Sequence, residues 1–189
     1  MVSDSHSPHG DARLKHLWHD LTPGRNPPED IRAIVEIPGG SRNKYELDKA
    51  SGILRLDRVL YSAVHYPADY GFIPQTLAED DDPMDVLVLL KEPTFPGCEV
   101  DLRPLGVLHM LDRGVPDEKI LAVPTEDPLQ EEYRELTDVP KHLLAEIQHF
   151  FQTYKDLEGK RVEIRGWEAR AAAYQTISDS IARYTAKYR

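Results

Sequence analysis

An acidic run stands directly before an apolar segment in the first half of the chain. Four aspartates lie within residues 80–85, and the apolar residues 86–90 follow them. Two carboxylates about 4 Å apart repel each other by roughly 4 kcal/mol at an effective dielectric near 20. Pro83 stiffens the link between Asp82 and Asp85, which favours fixed carboxylates over a solvated acidic loop, the alternative interpretation. A fixed cluster of this kind must take up protons or bind a cation.

The ligand chemistry of the run favours a hard divalent cation. Oxygen ligands with no nearby cysteine or histidine pair select Mg²⁺, Mn²⁺ or Ca²⁺ over Zn²⁺. A calcium loop of the EF-hand type is excluded, because the run lacks the glycine at the sixth position and the glutamate at the twelfth. A second acidic set, Asp112 and Asp117, lies between two apolar segments. Alone this set is typical of a turn, and it is a candidate for the metal site only if it lies near the first cluster.

Basic and phenolic residues stand beside the ends of apolar segments. Singly, each is typical of a surface charge or a core tyrosine. Together with the acids they are the groups that phosphoryl transfer needs, because metals neutralise phosphate oxygens, arginine binds them as a fork and lysine adds a point charge. Spacing alone does not prove that they converge. These residues are Lys44, Arg58, Lys119, Lys155, Tyr66, Tyr70 and Tyr154.

Short β-segments followed by helices must position these groups. The pattern predicts strands at 31–37, 44–47, 53–57, 86–90, 105–111 and 119–123, with a hairpin turn at 49–52. Most of them are interrupted by proline or glycine, which is typical of a small, curved barrel. Apolar residues at helical spacing over 140–154 and 167–184, on either side of a strand at 161–165, predict two covering helices. The sequence therefore predicts one α+β domain.

The first 28 residues predict an extension, and residues 29–189 a single catalytic domain. Residues 1–10 are polar, and residues 11–19 predict a short amphipathic helix before the prolines and glycine of 22–28. The N-terminus lacks the apolar stretch of a signal peptide, and the apolar run 86–90 is far too short to span a membrane. The single cysteine, Cys98, fits a reducing compartment. We therefore expect a cytoplasmic protein.

The formal net charge of −10 argues against nucleic acid as the main partner, because binding a phosphate backbone requires a basic surface. It does not exclude a small anionic substrate, since metal ions can invert the sign of a site.

Four segments resemble the soluble family I inorganic pyrophosphatases of bacterial type: VEIPGGSRNKYELDKASG, DRVLYSAVHYPADYGFIPQTLAEDDDPMDVLVL, RPLGVLHMLDRGVPDEKILAVP and HFFQTYKDLEGK. The similarity runs from about residue 29 to residue 167 in unbroken order. It implies a five-stranded OB-like β-barrel with two main C-terminal helices. It also implies that water activated by several Mg²⁺ ions, with Mn²⁺ or Zn²⁺ as substitutes, splits pyrophosphate into two phosphates.

The resemblance also implies residue roles. Asp80, Asp85 and Asp117 match core Mg²⁺ ligands, Asp112 joins at further metal positions, and Asp82 matches the general base. The pyrophosphate-binding positions are Lys44, Arg58, Tyr154 and Lys155. The supporting polar groups are Glu36, Glu46 and Tyr66, and Tyr70 and Lys119 join Asp82 at the catalytic centre.

Two features depart from the family pattern. Asp81 stands where many relatives carry glycine, and we expect its side chain to face solvent. The first 28 residues have no counterpart in the short bacterial enzymes. Relatives are commonly hexamers, and His149 matches a helix position near the subunit contacts in some of them, so a homo-hexamer is favoured.

Three other functions stay open. An OB-like barrel could bind oligonucleotides or oligosaccharides, although that needs a basic or stacking groove. A different metal-dependent phosphohydrolase would act on nucleoside triphosphates better than on pyrophosphate. A catalytically inactive relative is the third alternative, against which the intact acidic set argues.

Overall fold

A computed structural model describes residues 15–189, whose backbone forms nine β-strands, two α-helices and two single-turn 3₁₀ helices. The strands are β1 (Ile31–Ile37), β2 (Asn43–Leu47), β3 (Leu54–Val59), β4 (Asp69–Phe72), β5 (Asp85–Val88), β6 (Glu99–Asp112), β7 (Val115–Pro116), β8 (Lys119–Pro124) and β9 (Val162–Ala169). The helices are α1 (Lys141–Thr153) and α2 (Arg170–Tyr188), and the 3₁₀ helices are Leu136–Asp138 and Asp156–Glu158.

Five strands close into a ring. The antiparallel pairs are β1 with β4, β4 with β5, β8 with β6, and β6 with β1, while β5 and β8 run parallel. β7 and β9 pair with the long strand β6, and β2 and β3 form a separate hairpin. The predicted α+β class, with a five-stranded OB-like barrel and two main C-terminal helices, is confirmed.

The central strands are buried on both faces, which explains their continuous apolar sequence. In β8 every residue is buried, and successive side chains alternate between two cores because a strand repeats every two residues. Ile120 belongs to the core that α2 covers with Ile177. Leu121 belongs to the other core, which α1 covers with Phe151. Each helix therefore closes one side of the barrel.

Residues 15–28 pack on the barrel. The Trp18 side chain is 2% exposed, and its Nε1 donates a hydrogen bond to the Thr76 carbonyl at 2.8 Å. Its ring stacks on His19, and it joins a core cluster with Ile34 and Tyr184. This segment therefore links the barrel to the end of α2.

The predicted helix over residues 11–19 is wrong for the described residues 15–19. Residues 17–20 form turns, closed by the Asp20 amide donating to the His16 carbonyl at 2.9 Å. Side chains compete here for the backbone donors of a helix, because the His16 amide donates to the Asp20 carboxylate at 2.7 Å and the Trp18 amide to His16 Nδ1 at 3.3 Å. The predicted polar tail, residues 1–10, and residues 11–14 of the predicted helix lie outside the described residues.

The sequence pattern missed β4 and half of β6. β4 carries the buried Asp69 and also Gly71, where a Cβ atom would lie 1.9 Å from the Ile34 carbonyl oxygen of β1. Only glycine permits this close approach of two strands. In β6, Pro104 lies at a register shift, where a strand tolerates proline.

The second helix begins three residues later than predicted. Trp167 lies in β9 opposite Leu108 of β6, and its Nε1 donates to the Leu144 carbonyl at 3.3 Å. The predicted hairpin over 44–57 and the first covering helix are confirmed, with shifted ends. None of the helices within residues 15–189 has an apolar stretch that could cross a membrane.

Candidate active site

One cleft of about 680 Å³ gathers nearly all of the predicted site residues. It lies between the acidic run, the β2–β3 hairpin, the ends of β6 and β8, and the segment after α1. Residues from five separate parts of the sequence therefore meet in one place. The predicted residues that line it are Glu36, Lys44, Glu46, Arg58, Tyr70, Asp80, Asp82, Asp85, Asp112, Asp117, Lys119, Tyr154 and Lys155.

Tyr66 alone among the predicted residues does not line the cleft. It is buried behind the wall, where its ring lies 5.4 Å from that of Tyr70 and 4.8 Å from that of Phe150. Its contacts hold Tyr70 against α1.

Parallel pairing of β5 with β8 creates the centre of the cleft. The pairing places Asp85 opposite Lys119 at the start of both strands. The buried Lys119 ammonium contacts the Asp85 carboxylate at 2.5 Å and also contacts that of Asp117. Burial lowers the pKa of Lys119, but the charges of Asp117 and Asp85 outweigh it and hold the pKa above its usual range. Lys119 is therefore a fixed cation between two carboxylates.

Crowding and burial raise the pKa values of neighbouring acids. Burial, and then the charge of Asp85, raises the pKa of Asp80 to about 6. Burial and the same neighbour raise the pKa of Glu36 to about 8, although Glu36 accepts a 2.7 Å hydrogen bond from the Leu47 amide. Burial also raises the pKa of Asp85. The cleft thus has a shortage of positive charge.

Asp112 supplies an acceptor on the opposite side. Its Oδ2 accepts a 2.8 Å bond from Lys155, and its buried Oδ1 has no hydrogen-bond partner among the described residues. Burial raises the pKa of Asp112, but the bond from Lys155 and the charges of Lys155, Arg113 and Lys119 together outweigh this and hold the pKa below its usual range. Asp112 is therefore an ionised carboxylate with one free, buried oxygen.

The basic wall comes from the hairpin. Arg58 on β3 donates from Nε to Glu158 at 2.9 Å and from Nη1 to Asp57 at 2.5 Å. Lys44, opposite Arg58 in β2, contacts Glu46. These ion pairs hold both cations toward the cleft.

Two aromatic groups complete the wall. The Lys155 ammonium lies 5.0 Å above the Tyr154 ring, and Lys119 lies 5.9 Å above the Tyr70 ring. Burial holds the pKa values of both tyrosines well above their usual range, so both hydroxyls keep their protons and can donate hydrogen bonds.

The sequence did not predict several charged residues at or beside the cleft. Lys49, at the hairpin turn, contacts Asp82, and Lys160 donates to Glu158 at 2.8 Å. The Glu158 side chain is only 4% exposed and orients Arg58. Glu158 lies in the YKDLEGK segment, but only the tertiary structure shows that it pairs with Arg58, which lies 100 residues earlier in the chain.

Asp81 has a backbone conformation that favours glycine. Its φ is +68°, in the left-handed region that few residues other than glycine adopt readily, although aspartate is among them. Its side chain is 74% exposed and pairs with Lys187 of α2 at 2.7 Å. The expectation that it faces solvent is confirmed.

The donors of the cleft fit a hard divalent cation by their chemistry. Six aspartates line it, Asp112 has a free buried oxygen, and the pKa of Asp80 is raised, so added positive charge would relieve the crowding. Among residues 15–189, no three acidic, histidine or cysteine side chains surround a common metal position. The Lys119 ammonium lies between Asp85 and Asp117, so a metal ion shared by them requires it to move.

Comparisons with known proteins agree on one family. Residues 33–185 match the family model described as inorganic pyrophosphatase. The inorganic pyrophosphatase of Halalkalibacterium halodurans is 55% identical over 157 residues, which cover 83% of this chain and 96% of that protein. That of Haloferax volcanii is 50% identical over 172 residues, 90% of this chain and 97% of the relative. The crystal structure of inorganic pyrophosphatase from Thermus thermophilus aligns with a TM-score of 0.87 at 45% identity, covering 90% of this chain and 99% of that one.

Proposed function

The chain belongs to the inorganic pyrophosphatase family, and from that premise we propose that it hydrolyses inorganic pyrophosphate to two orthophosphates. One observation carries the proposal: a single cleft places aspartates opposite a wall of lysine, arginine and tyrosine. Such a wall can bind the phosphate oxygens, while the acids face the water that attacks. The acidic side argues against an oligonucleotide-binding module, because carboxylates repel a phosphate backbone.

We propose Mg²⁺ as the metal, with Mn²⁺ and Zn²⁺ as substitutes. Asp80, Asp85 and Asp117 would hold it once the Lys119 ammonium has moved from between Asp85 and Asp117, and Asp112 would bind at a further position. Bound Mg²⁺ would lower the pKa of water and would neutralise charge on the phosphate oxygens. The carboxylate-only donor set and the free oxygen of Asp112 support this choice.

Asp82 is the proposed general base. Its side chain is 52% exposed and lines the cleft, so a water molecule can reach it. The carboxylate accepts a proton from water as the water oxygen forms a bond to one phosphorus. The bond from that phosphorus to the bridging oxygen breaks, and the bridging oxygen leaves with the second phosphate.

The cationic wall binds and orients the substrate. Arg58 presents a guanidinium fixed by Glu158 and Asp57, which suits bidentate contact with a phosphate. Lys44 and Lys155 add positive charge, and the Tyr154 hydroxyl donates a hydrogen bond. Lys119 and Tyr70 keep the centre of the cleft neutralised and ordered, and Glu36 and Glu46 support Leu47 and Lys44.

Phosphate release tests this function. The purified chain is given pyrophosphate while Mg²⁺ is titrated from zero, with ATP as a parallel substrate. We expect fast, Mg²⁺-dependent release from pyrophosphate and little from ATP. Greater release from ATP would make the protein a nucleotide phosphohydrolase, and none with Mg²⁺, Mn²⁺ or Zn²⁺ from folded protein would refute the proposal.

We also propose that the chain works in the cytoplasm as a homo-hexamer. The family resemblance and the exposed position of His149 in α1 support the assembly. Light scattering coupled to gel filtration should give six times the 21.5 kDa chain mass, and a monomer mass would contradict it.

A further inference from the structure

Lys49 joins the hairpin turn to the acidic run. Its ammonium contacts the Asp82 carboxylate and donates to the Asp81 carbonyl at 3.2 Å. Both charged side chains are about half exposed, at 49% for Lys49 and 52% for Asp82. An ion pair so open to solvent contributes little to folding. Its geometry is nevertheless specific, because one ammonium holds a side chain and the backbone beside it.

The turn that carries Lys49 is internally fixed. Asp48 Oδ1 accepts bonds from the Ala50 amide at 3.1 Å and the Ser51 amide at 2.9 Å. The Gly52 amide donates to the Asp48 carbonyl at 2.8 Å, with φ of +72° at Gly52. Such side-chain-to-backbone bonds pre-organise a turn. Lys49 therefore extends from a rigid turn.

The N-terminal segment, residues 16–19, contacts the outer side of this hairpin turn. His16 Nε2 donates to the Lys49 carbonyl at 3.1 Å, while its Nδ1 accepts from the Trp18 amide at 3.3 Å. The His16 ring leaves no room for a side chain at Gly52, where a Cβ atom would lie 2.8 Å from it.

The same segment also binds residues 75–76, which precede the acidic run. The Gln75 amide donates to the Trp18 carbonyl at 2.9 Å, and the Gln75 side chain donates to the His19 carbonyl at 2.9 Å. Trp18 Nε1 donates to the Thr76 carbonyl at 2.8 Å. Residues 16–19 thus fix the distance between the hairpin turn and the acidic run.

We propose that Lys49 is a positioning residue that holds the Asp82 carboxylate toward the attacking water, and that residues 16–19 hold Lys49 in place. This inference rests on the proposed pyrophosphate hydrolysis. Asp82 stands among like charges that repel it, so without Lys49 its side chain rotates away from Asp80 and Asp85. A small misplacement of a general base lowers turnover strongly while substrate binding persists.

The test replaces Lys49 by methionine, which keeps the side-chain length and removes the charge. Lys49→Arg is the conservative variant, and Lys141→Met, at an exposed position of α1, is the matched control. At saturating Mg²⁺ we expect K49M to lower kcat about tenfold with KM for pyrophosphate and Tm nearly unchanged. K49R should recover most of kcat, and K141M should match the wild type.

A double-mutant cycle with Asp82→Asn separates positioning from direct substrate contact. If Lys49 acts through Asp82, adding K49M to D82N changes kcat little. A tenfold loss that persists in the D82N background contradicts the inference, as does a K49M variant with raised KM and unchanged kcat. If the wild type is active and K49M has the same kcat, the inference about Lys49 is refuted and the proposed function stands. If the wild type itself is inactive, the proposed function is refuted as well.

The N-terminal segment is tested by His16→Ala, with His142→Ala on the exposed side of α1 as control. We expect H16A to lower kcat about threefold with unchanged KM, and K49M to abolish this effect in the double variant. A loss from H16A that adds fully to that of K49M would show that the segment does not act through Lys49.

Discussion

Environment gives the cleft carboxylates different chemistry. Asp82 lies at the open side with Lys49, while Asp85 is buried against Lys119 and Tyr70. Glu36 is deeper still, and its pKa is raised to about 8. Among these acids, Asp82 is the one that combines access to water with a position in the cleft. This makes it the acid best suited to accept a proton.

Asp82→Asn should lower kcat by about a hundredfold or more, because the amide cannot accept the proton from water. KM for pyrophosphate should stay within a factor of two, since the cationic wall is untouched. Steady-state phosphate release measures both constants. Asp81→Asn is the matched control, because asparagine tolerates the left-handed backbone. The kcat of D81N should equal that of the wild type. Full activity of D82N would remove Asp82 as the base.

Glu36 should make the metal-free protein less stable as pH rises. Its folded pKa, about 8, lies above the ordinary value of 4.5, so folding favours the protonated form. This contribution is complete below pH 4.5 and is lost as pH rises toward 8. Glu36→Gln stays neutral and can still accept the Leu47 amide bond.

Urea unfolding in EDTA at pH 5 and at pH 8 measures this effect. The stability of E36Q relative to the wild type should be greater at pH 8 than at pH 5. Comparing the two proteins at each pH cancels the titration of Asp80, whose pKa is about 6. An equal difference at both pH values would contradict the buried, protonated state of Glu36.

Helix α1 connects the core to the site. It buries Phe150 and Phe151, whose rings contact Tyr66, Tyr70 and Tyr154 at 4.8–6.2 Å between centroids. The Lys119 ammonium also lies 5.9 Å above the Phe151 ring. One aromatic cluster therefore supports both walls of the cleft.

Phe151→Ala should lower the free energy of unfolding by about 3–5 kcal/mol, because it leaves a cavity under the cleft. Phe95→Ala is the control for the same chemical change, since Phe95 is 66% exposed and Phe151 fully buried. The control should change stability by less than about 0.5 kcal/mol. Urea unfolding measures both, and equal losses would contradict the role of the cluster.

The whole molecule carries a formal net charge of −10, and the cleft gathers many of the acids. Self-repulsion of this kind destabilises a compact fold unless cations bind. A cation that binds the folded state alone stabilises it by mass action. The metal should therefore matter for folding as well as for turnover.

Mg²⁺ should raise the free energy of unfolding by about 2.7 kcal/mol at a hundredfold excess over its Kd. Asp85→Asn should abolish most of this gain and nearly all activity. Asp179→Asn, at an exposed position of α2 outside the cleft, should keep both. Thermal unfolding with and without Mg²⁺ measures the gain, and an undiminished gain in D85N would place the metal elsewhere.

The sequence by itself determined the family, the barrel with its two helices, and the residue types of the site. Four segments that resemble the family identified it, while apolar periodicity and the acidic run beside residues 86–90, which are local signals, predicted the elements and the residue types. The tertiary structure alone decided the contacts that close over long distances: Arg58 with Glu158, Lys49 with Asp82, and Lys187 with Asp81. It also decided that residues 17–20 form turns and that the described part of the predicted helix, residues 15–19, is not helical. Burial of Trp18 outweighs local helix propensity there, and no local pattern carries that energy.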